Sequence, residues 1–268
     1  MDMYSEKSDF FNSPIFVLGL PRSGTSMIAG CLGICGAWTG STVPGGGKEN
    51  PKGFFEHVYI REKIIKAVLR QAGCDPLGVS KLPPLDLNIQ VPGLAELVGK
   101  VIRSDEYQDD RPWLYKDAKL TLLWPTFANT FPQARWVIVR RDEDSIIDSC
   151  LRTFFMNQHS TERTFWEDFV QEYVIRLNQL KNSGVTCYEI ESRDVINGEF
   201  STLRKLVQDL ELTYREEELV SFVTPAFWHG ATGKSPGTSQ VTPQNHPNHA
   251  PHAESHPATL PALFDDKA

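Results

Sequence analysis

The sequence has neither a long uninterrupted apolar run nor an excess of positive charge. A membrane-spanning helix needs roughly 18 or more consecutive apolar residues, and no segment of the chain approaches this. The formal net charge is −7, whereas nucleic-acid-binding proteins are usually basic. The N-terminal residues also lack the basic segment and apolar centre of a secretory signal. These absences predict a cytoplasmic protein that binds no nucleic acid and has no membrane span.

Paired cysteines are also missing. The chain has 5 cysteines, an odd number, at irregular spacing and without a C-x-x-C pair. Cys31 and Cys35 lie four positions apart, on one face of a predicted helix. Because free cysteine packs as a small hydrophobic residue, we interpret these residues as buried thiols rather than as a disulfide or a metal site. Such thiols fit a reducing compartment.

Strand-like and helical patterns alternate along most of the chain, in which 40% of the residues are hydrophobic. This alternation predicts an α/β domain, in which helices cover both faces of a parallel sheet. We expect an N-terminal extension over residues 1–13 and a single domain over 14–234. Residues 235–268 are rich in Pro, Ser, Thr, Asn, Gln and His, and a segment with so little to bury is predicted to be disordered.

The element boundaries follow from hydrophobic periodicity and from Gly and Pro. Strands are predicted over residues 14–19, 112–117, 134–139 and 185–190. Helices are predicted over residues 24–35, 54–72, 93–103, 120–130, 143–156, 162–182, 199–210 and 215–222. The Gly- and Pro-rich stretch 36–53 is long for a loop in a compact domain, and loops of this length are often functional.

The stretch IFVLGLPRSGTSMIAG, residues 15–30, is the most informative part of the sequence. Gly19 and Gly24 have the spacing of a G-x-x-x-x-G-K-[ST] phosphate loop, and Ser26 takes the hydroxyl position. Thr25, however, replaces the lysine. An anion site is still expected, because residues at a helix start offer unpaired amides and a favourable dipole. Arg22 adds a forked hydrogen-bond donor.

The sequence lacks a carboxylate that is placed to bind a metal ion. A nucleotide kinase would hold Mg²⁺ with a carboxylate at the end of an apolar strand, but the strand at 134–139 ends in Arg140 and Arg141. Asp142 follows, and two adjacent arginines make it a poor magnesium ligand. We therefore expect a reaction that requires no metal.

Two motifs together resemble the sulfotransferases that use 3′-phosphoadenosine 5′-phosphosulfate. PRSGT at 21–25 resembles their 5′-phosphosulfate loop. RDEDSIIDS at 141–149 has the R-x₇-S spacing of the residues that bind the 3′-phosphate in the family. ENPKGFFE at 49–56 resembles the NPKGFFE segment of the bacterial and phage-type members, and YKDAKL at 115–120 resembles their KDPRL segment. The resemblance covers about residues 14–230.

The resemblance implies a P-loop NTPase-like fold, a three-layer α/β/α structure with a central parallel sheet. It also implies roles for individual residues. Arg22, Lys116 and Glu56 are the expected catalytic residues, with the two cations near the transferred group and Glu56 as the general base. The donor nucleotide is expected to be bound by Arg22, Ser23, Gly24, Thr25, Ser26, Arg141, Ser149 and Tyr188.

The base is the least determined of these roles. Cytosolic animal members carry a histidine two residues after the corresponding lysine, but that position is Ala118 here. Glu49 and Asp117 compete with Glu56 for the role, whereas the adjacent His57 is expected to have a structural or surface role. A base must reach the acceptor hydroxyl, and the sequence does not determine which group does so.

The predicted activity is transfer of a sulfuryl group from 3′-phosphoadenosine 5′-phosphosulfate to a hydroxyl of a glycan, a lipid or a small metabolite. The acceptor is expected between residues 40–53 and 73–92. Aromatic residues that could line its site are Trp38, Phe54, Phe55 and Trp228. The oligomeric state is not predicted.

Two alternatives stay open. One is a P-loop kinase of a small metabolite, which would need ATP and Mg²⁺. Thr25 counts against it, as does the pair of Arg141 and Ser149, because ATP has no 3′-phosphate. The other is a catalytically inactive module that only binds a nucleotide.

Overall fold

The computed structural model describes residues 9–45, 50–86 and 89–224. Its centre is a sheet of four parallel strands in the order β2-β1-β3-β4. The predicted strands are confirmed with shifted ends, and their bounds are β1 Ile15–Gly19, β2 Leu114–Lys116, β3 Arg135–Arg140 and β4 Cys187–Glu191. The central strands β1 and β3 are apolar at nearly every position because both faces of the sheet are covered.

Helices connect and cover these strands. Their bounds are α1 Thr25–Ile34, α2 Lys66–Gln71, α3 Leu94–Ser104, α4 Leu120–Thr130, α5 Glu143–Arg152, α6 Phe154–Asn157, α7 Arg163–Asn182, α8 Ser192–Ile196, α9 Ser201–Asp209 and α10 Glu216–Phe222. A π-helical stretch, Ile60–Ile65, leads directly into α2. In the part of the chain that the structure describes, no helix has the length and hydrophobicity to cross a membrane.

The predicted helix over 54–72 is wrong at its start. Residues 54–56 are not helical, because they pair with the preceding loop: Val43 N donates to Glu56 O at 2.8 Å and Phe54 N donates to Val43 O at 3.1 Å. This pairing keeps the backbone of Glu56 out of a helix and beside the loop that follows α1.

Two further boundaries differ from the prediction. The predicted helix over 143–156 is interrupted at Thr153, whose extended backbone (φ −81°, ψ 120°) separates α5 from α6. The short helix α8, which follows β4 directly, was not predicted. Its five residues are too few to display a helical period.

The core consists of two apolar clusters, one on each face of the sheet. Alternate residues of the central strands enter different clusters, as the pleat requires: Phe16 and Ile138 join the first, Val17 and Val139 the second. Helices α3, α4, α5 and α7 supply the first cluster, and α1, α8, α9 and α10 supply the second. The predicted three-layer α/β/α fold is confirmed.

All five cysteines are free thiols, as predicted, and four of them are buried. Cys31 and Cys35 lie on and just after α1, in the second cluster. Burial is the main cause that raises the pKa of Cys31, to about 12. Cys31 is therefore an uncharged packing residue at neutral pH.

The carboxyl ends of the four parallel strands lie at one edge of the sheet. Leu20 to Gly24 follow β1, Lys116 ends β2, and Arg141 follows β3. Ligands of open α/β sheets bind at this edge. The residues that the sequence singles out are therefore brought to the same side of the domain.

Candidate active site

The turn between β1 and α1 contains residues 22–26, for which the sequence predicts an anion site; we refer to this turn as the cradle. Gly19 has to be glycine, because a Cβ there would lie 2.6 Å from Val139 O. Gly24 precedes α1 with φ 95°. Arg22 has φ 71°, a backbone conformation that non-glycine residues adopt rarely and that is common at functional sites. The first amides of α1 have no intrahelical carbonyl to bind.

Arg22, in the cradle, contacts Arg141, which follows β3, and Ser149, which lies in α5. Its Nε donates to Ser149 Oγ at 3.0 Å, and Arg141 Nη1 donates to Arg22 O at 2.7 Å. Burial, followed by the charges of Arg22 and Arg152, lowers the pKa of Arg141 to about 10. Arg141 is still charged at neutral pH, so two guanidinium groups adjoin the start of α1. This concentration of positive charge suits a ligand that carries more than one anionic group.

Lys116 lies at the centre of the site and is only 3% exposed. Its Nζ donates to Ser26 Oγ at 3.1 Å, to Phe54 O at 3.1 Å and to Glu56 Oε1 at 2.9 Å. The other oxygen of Glu56 contacts Arg61 Nε at 3.0 Å. The lysine thus bridges the anion cradle and a carboxylate that is itself buried.

Asp117, the next residue, forms a separate buried pair with Lys119. Asp117 Oδ1 lies 2.8 Å from Lys119 Nζ, and Oδ2 accepts a hydrogen bond from Tyr115 at 2.9 Å. Burial raises the pKa of Asp117, but the charges of Lys119 and Lys116 outweigh it and hold the pKa below its ordinary value. The lowered pKa makes Asp117 a weak base.

His57 contacts Asp105, the residue that follows α3. His57 Nε2 lies 3.2 Å from Asp105 Oδ2, and Asp105 also accepts hydrogen bonds from the amide and the hydroxyl of Ser41. The three side chains fasten the loop after α1 to the end of α3. His57 is buried and does not line the cavity described below.

This buried histidine predicts a pH dependence of stability. Burial lowers the pKa of His57 from its ordinary value of 6.5 and outweighs the opposing effect of Asp105. The folded chain therefore binds this proton less readily than the unfolded chain, so the free energy of unfolding decreases as the pH falls through 6.5. Thermal unfolding from about pH 8 to about pH 5 should show a steeper loss of Tm for the wild type than for His57→Gln. Parallel curves for the two proteins would contradict the assignment.

A cavity of about 470 Å³ opens at the carboxyl edge of the sheet. Its wall includes most of the predicted site residues, namely Arg22, Gly24, Thr25, Ser26, Glu56, Lys116, Arg141 and Ser149. The structure thus brings together residues that the sequence separates by more than a hundred positions. Its volume is in the range of about 300–1,000 Å³ that is typical of sites for small ligands.

Some predicted residues are not part of this wall. The hydroxyl of Ser23 is fully buried without a hydrogen-bond partner among the described residues, and its amide donates to Leu20 O. Tyr188, in β4, packs against the second core cluster. Trp38 packs against Tyr107 at a ring-centroid distance of 5.1 Å. Glu49, Trp228 and the tail over 235–268 lie outside the described residues.

Several residues of the wall were not predicted. Phe54 and Phe55 were predicted. The unpredicted residues include three cations and four apolar residues: Lys52, Arg61, Lys119, Leu77, Val79, Phe155 and Met156. Lys119 belongs to the YKDAKL segment and lies two residues after Asp117, a spacing that could have indicated an ion pair. The apolar residues carry no such signal, because their periodicity is the same whether they face a core or a cavity.

The chain is similar to a known protein family and to several solved structures. The model of a family described as the sulfotransferase family matches residues 14–216. No curated protein matches the sequence. Similar solved structures include a sulfotransferase from Mycobacterium tuberculosis H37Rv, with 18% identity and a TM-score of 0.45, which covers 79% of this chain and 71% of that chain.

Two other solved structures are similar. The sulfotransferase domain of the Synechococcus PCC 7002 olefin synthase has 13% identity and a TM-score of 0.50, with 85% of this chain and 90% of that chain covered. A sulfotransferase from Mycobacterium avium has 12% identity and a TM-score of 0.44, with 78% and 66% covered. The likeness to the Synechococcus domain agrees with the α/β fold described above.

Proposed function

The chain belongs to the sulfotransferase family, and from that membership we propose that it transfers a sulfuryl group from 3′-phosphoadenosine 5′-phosphosulfate to an acceptor hydroxyl. The observation that carries the proposal is the position of Lys116, whose ammonium contacts both Ser26 of the cradle and the Glu56 carboxylate. One cation thus adjoins both the site suited to a phosphosulfate and the carboxylate that we propose as the general base.

The residues of the cradle fit this donor. The amides at the start of α1, the helix dipole and Arg22 suit a 5′-phosphosulfate. Arg141 offers a forked donor and Ser149 a hydroxyl for the 3′-phosphate, and the contact from Arg22 Nε to Ser149 Oγ makes the two subsites adjacent. When bound, the donor supplies the sulfuryl group and leaves as adenosine 3′,5′-bisphosphate.

In the proposed reaction, Glu56 accepts the proton of the acceptor hydroxyl while the acceptor oxygen bonds to sulfur. Lys116 and the cradle amides stabilise the negative charge left on the phosphate as the bond from sulfur to the bridging oxygen breaks. Such transfer depends on the alignment of the two substrates. Lys116 and Glu56 are held in place by the hydrogen bond between them, and each has a further partner, Ser26 and Arg61 respectively.

Arg141→Gln tests the 3′-phosphate assignment. We expect it to weaken binding of adenosine 3′,5′-bisphosphate about 10- to 100-fold, because it removes a charged hydrogen-bond donor. Binding of adenosine 5′-phosphate, which lacks the 3′-phosphate, should change little. Titration calorimetry of both nucleotides against both proteins measures the difference.

The adjacent arginine is the matched control. Arg140 pairs with Glu189 at 2.7 Å and does not line the cavity, so Arg140→Gln should bind the bisphosphate as the wild type does. Unaltered bisphosphate binding by Arg141→Gln would remove the 3′-phosphate assignment. Wild-type protein that binds ATP–Mg²⁺ tightly and the bisphosphate not at all would overturn the donor and favour a kinase.

A further inference from the structure

Four apolar residues of the cavity wall come from two segments, the loop after α2 and α6; we define Leu77, Val79, Phe155 and Met156 as the apolar strip. Val79 and Met156 are buried, with 5% and 2% exposure, whereas Leu77 and Phe155 are 49% and 46% exposed. The strip therefore runs from the interior of the cavity to its rim. Large apolar side chains at the rim of a cavity indicate a ligand with an apolar part.

The loop that carries Leu77 and Val79 is held firmly in place. Asp75 accepts hydrogen bonds from the amides of Leu77, Val79 and Ser80 at 2.8–3.0 Å. Burial raises the pKa of Asp75, but these amides outweigh it and the pKa lies below the ordinary value. Tyr173 donates to Gly78 O at 2.8 Å. The apolar side chains are thus presented by a fixed backbone.

The other half of the strip faces this loop from the segment after α5. Ser80 Oγ lies 3.2 Å from His159 Nδ1, so the loop contacts the residues that follow α6. The loop also adjoins the reactive groups, because a Cβ at Gly78 would lie 3.0 Å from Lys119 Cγ. The apolar strip therefore begins next to the ion pairs of the site.

The cations beside the strip are already paired with carboxylates, which leaves little positive charge to bind an acidic acceptor. Arg61, Lys116 and Lys119 face two carboxylates, Glu56 and Asp117, in pairs of 2.8–3.0 Å. Among the described residues of this part of the wall, the cations exceed the carboxylates by one, and the anionic donor offsets that charge. An acceptor with its own carboxylate or phosphate would have to compete with Glu56 and Asp117 for Arg61, Lys116 and Lys119. Lys52, which also lines the cavity, hydrogen-bonds Phe222 O and Thr224 Oγ1.

We propose that the acceptor is an uncharged alcohol or phenol with an apolar body that lies along this strip. The inference rests on the proposed function and narrows its acceptor class. A sugar is disfavoured, because hydroxyl groups pressed against Leu77, Val79 and Met156 would lose their hydrogen bonds to water without replacement. The acceptor hydroxyl lies towards Glu56, and the apolar body extends to the rim.

Direct binding tests the acceptor class without requiring turnover. The full chain, saturated with adenosine 3′,5′-bisphosphate, is titrated with unbranched primary alcohols from butanol to octanol. We expect affinity to rise about fourfold for each added methylene that is buried. Glucose and 8-hydroxyoctanoate should bind more weakly than octanol. Sulfation of the same compounds, measured with the phosphosulfate donor, should follow the same order in kcat/KM.

Leu77→Ser and Leu85→Ser form a matched pair that tests whether the apolar body of the acceptor lies along the strip. Both leucines are partly exposed, at 49% and 40%, but Leu85 does not line the cavity. Leu77→Ser should raise KM for octanol by roughly 5- to 10-fold and leave bisphosphate affinity unchanged, because part of the apolar contact with the acceptor is lost. Leu85→Ser should match the wild type in KM, kcat and bisphosphate affinity.

Bisphosphate binding separates the two proposals. A chain that binds the bisphosphate but has equal affinity for butanol and octanol, or prefers glucose, would overturn the acceptor class and leave the donor assignment intact. Equal KM values for the two leucine variants would overturn the placement of the acceptor along the strip. A chain that does not bind the bisphosphate would overturn the proposed function, and the acceptor class with it.

Discussion

Glu56→Gln is expected to lower kcat by about 10²- to 10⁴-fold, the usual contribution of a general base. Binding of adenosine 3′,5′-bisphosphate should remain close to that of the wild type. Glutamine keeps the size of the side chain and an oxygen that can accept from Lys116, which donates to Glu56 at 2.9 Å. It cannot take up a proton. Steady-state kinetics and calorimetry on the same preparation measure the two effects.

The acidity of the acceptor distinguishes a base from a residue that only positions Lys116. If Glu56 takes the proton, its loss should affect an alkanol severely and a strongly acidic phenol much less, since the phenol needs little help to ionise. A positioning residue would slow both acceptors equally. Glu62→Gln is the matched control, because Glu62 pairs with Lys66 at 2.7 Å and does not line the cavity. Wild-type turnover by Glu56→Gln would assign the base to another group.

Lys116→Met should lower kcat by about 10²- to 10³-fold, which is typical when one donor to a developing negative charge is removed. Methionine retains the length of the side chain but has no charge and no hydrogen-bond donor. Donor affinity should fall less than kcat, since the amides at the start of α1 and Arg22 remain. Rapid-quench measurement of a single turnover compares the chemical step in the two proteins.

Lys66→Met is the control for Lys116→Met, because Lys66 is an ion-paired lysine outside the cavity. Among the described residues, removing Lys116 also leaves Glu56 with Arg61 as its remaining ion-pair partner, which costs stability. Assays are therefore made well below the Tm of the variant, with bisphosphate binding as the measure of folded protein. Full turnover by folded Lys116→Met would show that charge at the leaving phosphate is stabilised elsewhere.

The sheet was predictable because β1 and β3 are buried on both faces and therefore appear as continuous apolar runs. The cradle was predictable for a related reason. A strand, a Gly-bounded turn and a helix leave a local pattern, and parallel strands bring such turns to one edge. Lys116 and Arg141 follow the same rule, since each lies at or just beyond the carboxyl end of a strand.

The rest of the site depends on contacts that leave no local pattern. The contact of His57 with Asp105 and the bond between Ser80 and His159 join segments far apart in sequence. The non-helical course of residues 54–56 depends on pairing with Val43, and the helical spacing of the residues that follow concealed it. Leu77 and Val79 belong to an irregular, Pro-rich segment in which side-chain direction is set by the hydrogen bonds of Asp75.

The interruption at Thr153 separates two tasks that one continuous helix would have to share. Thr153 Oγ1 donates to Ser149 O at 2.7 Å and its extended backbone ends α5. Ser149 precedes the break and belongs to the proposed donor site, whereas Phe155 and Met156 follow it and belong to the proposed acceptor wall. Substitutions and insertions after the break can therefore change acceptor specificity during evolution or in a directed library. Ser149 would keep its position relative to the nucleotide.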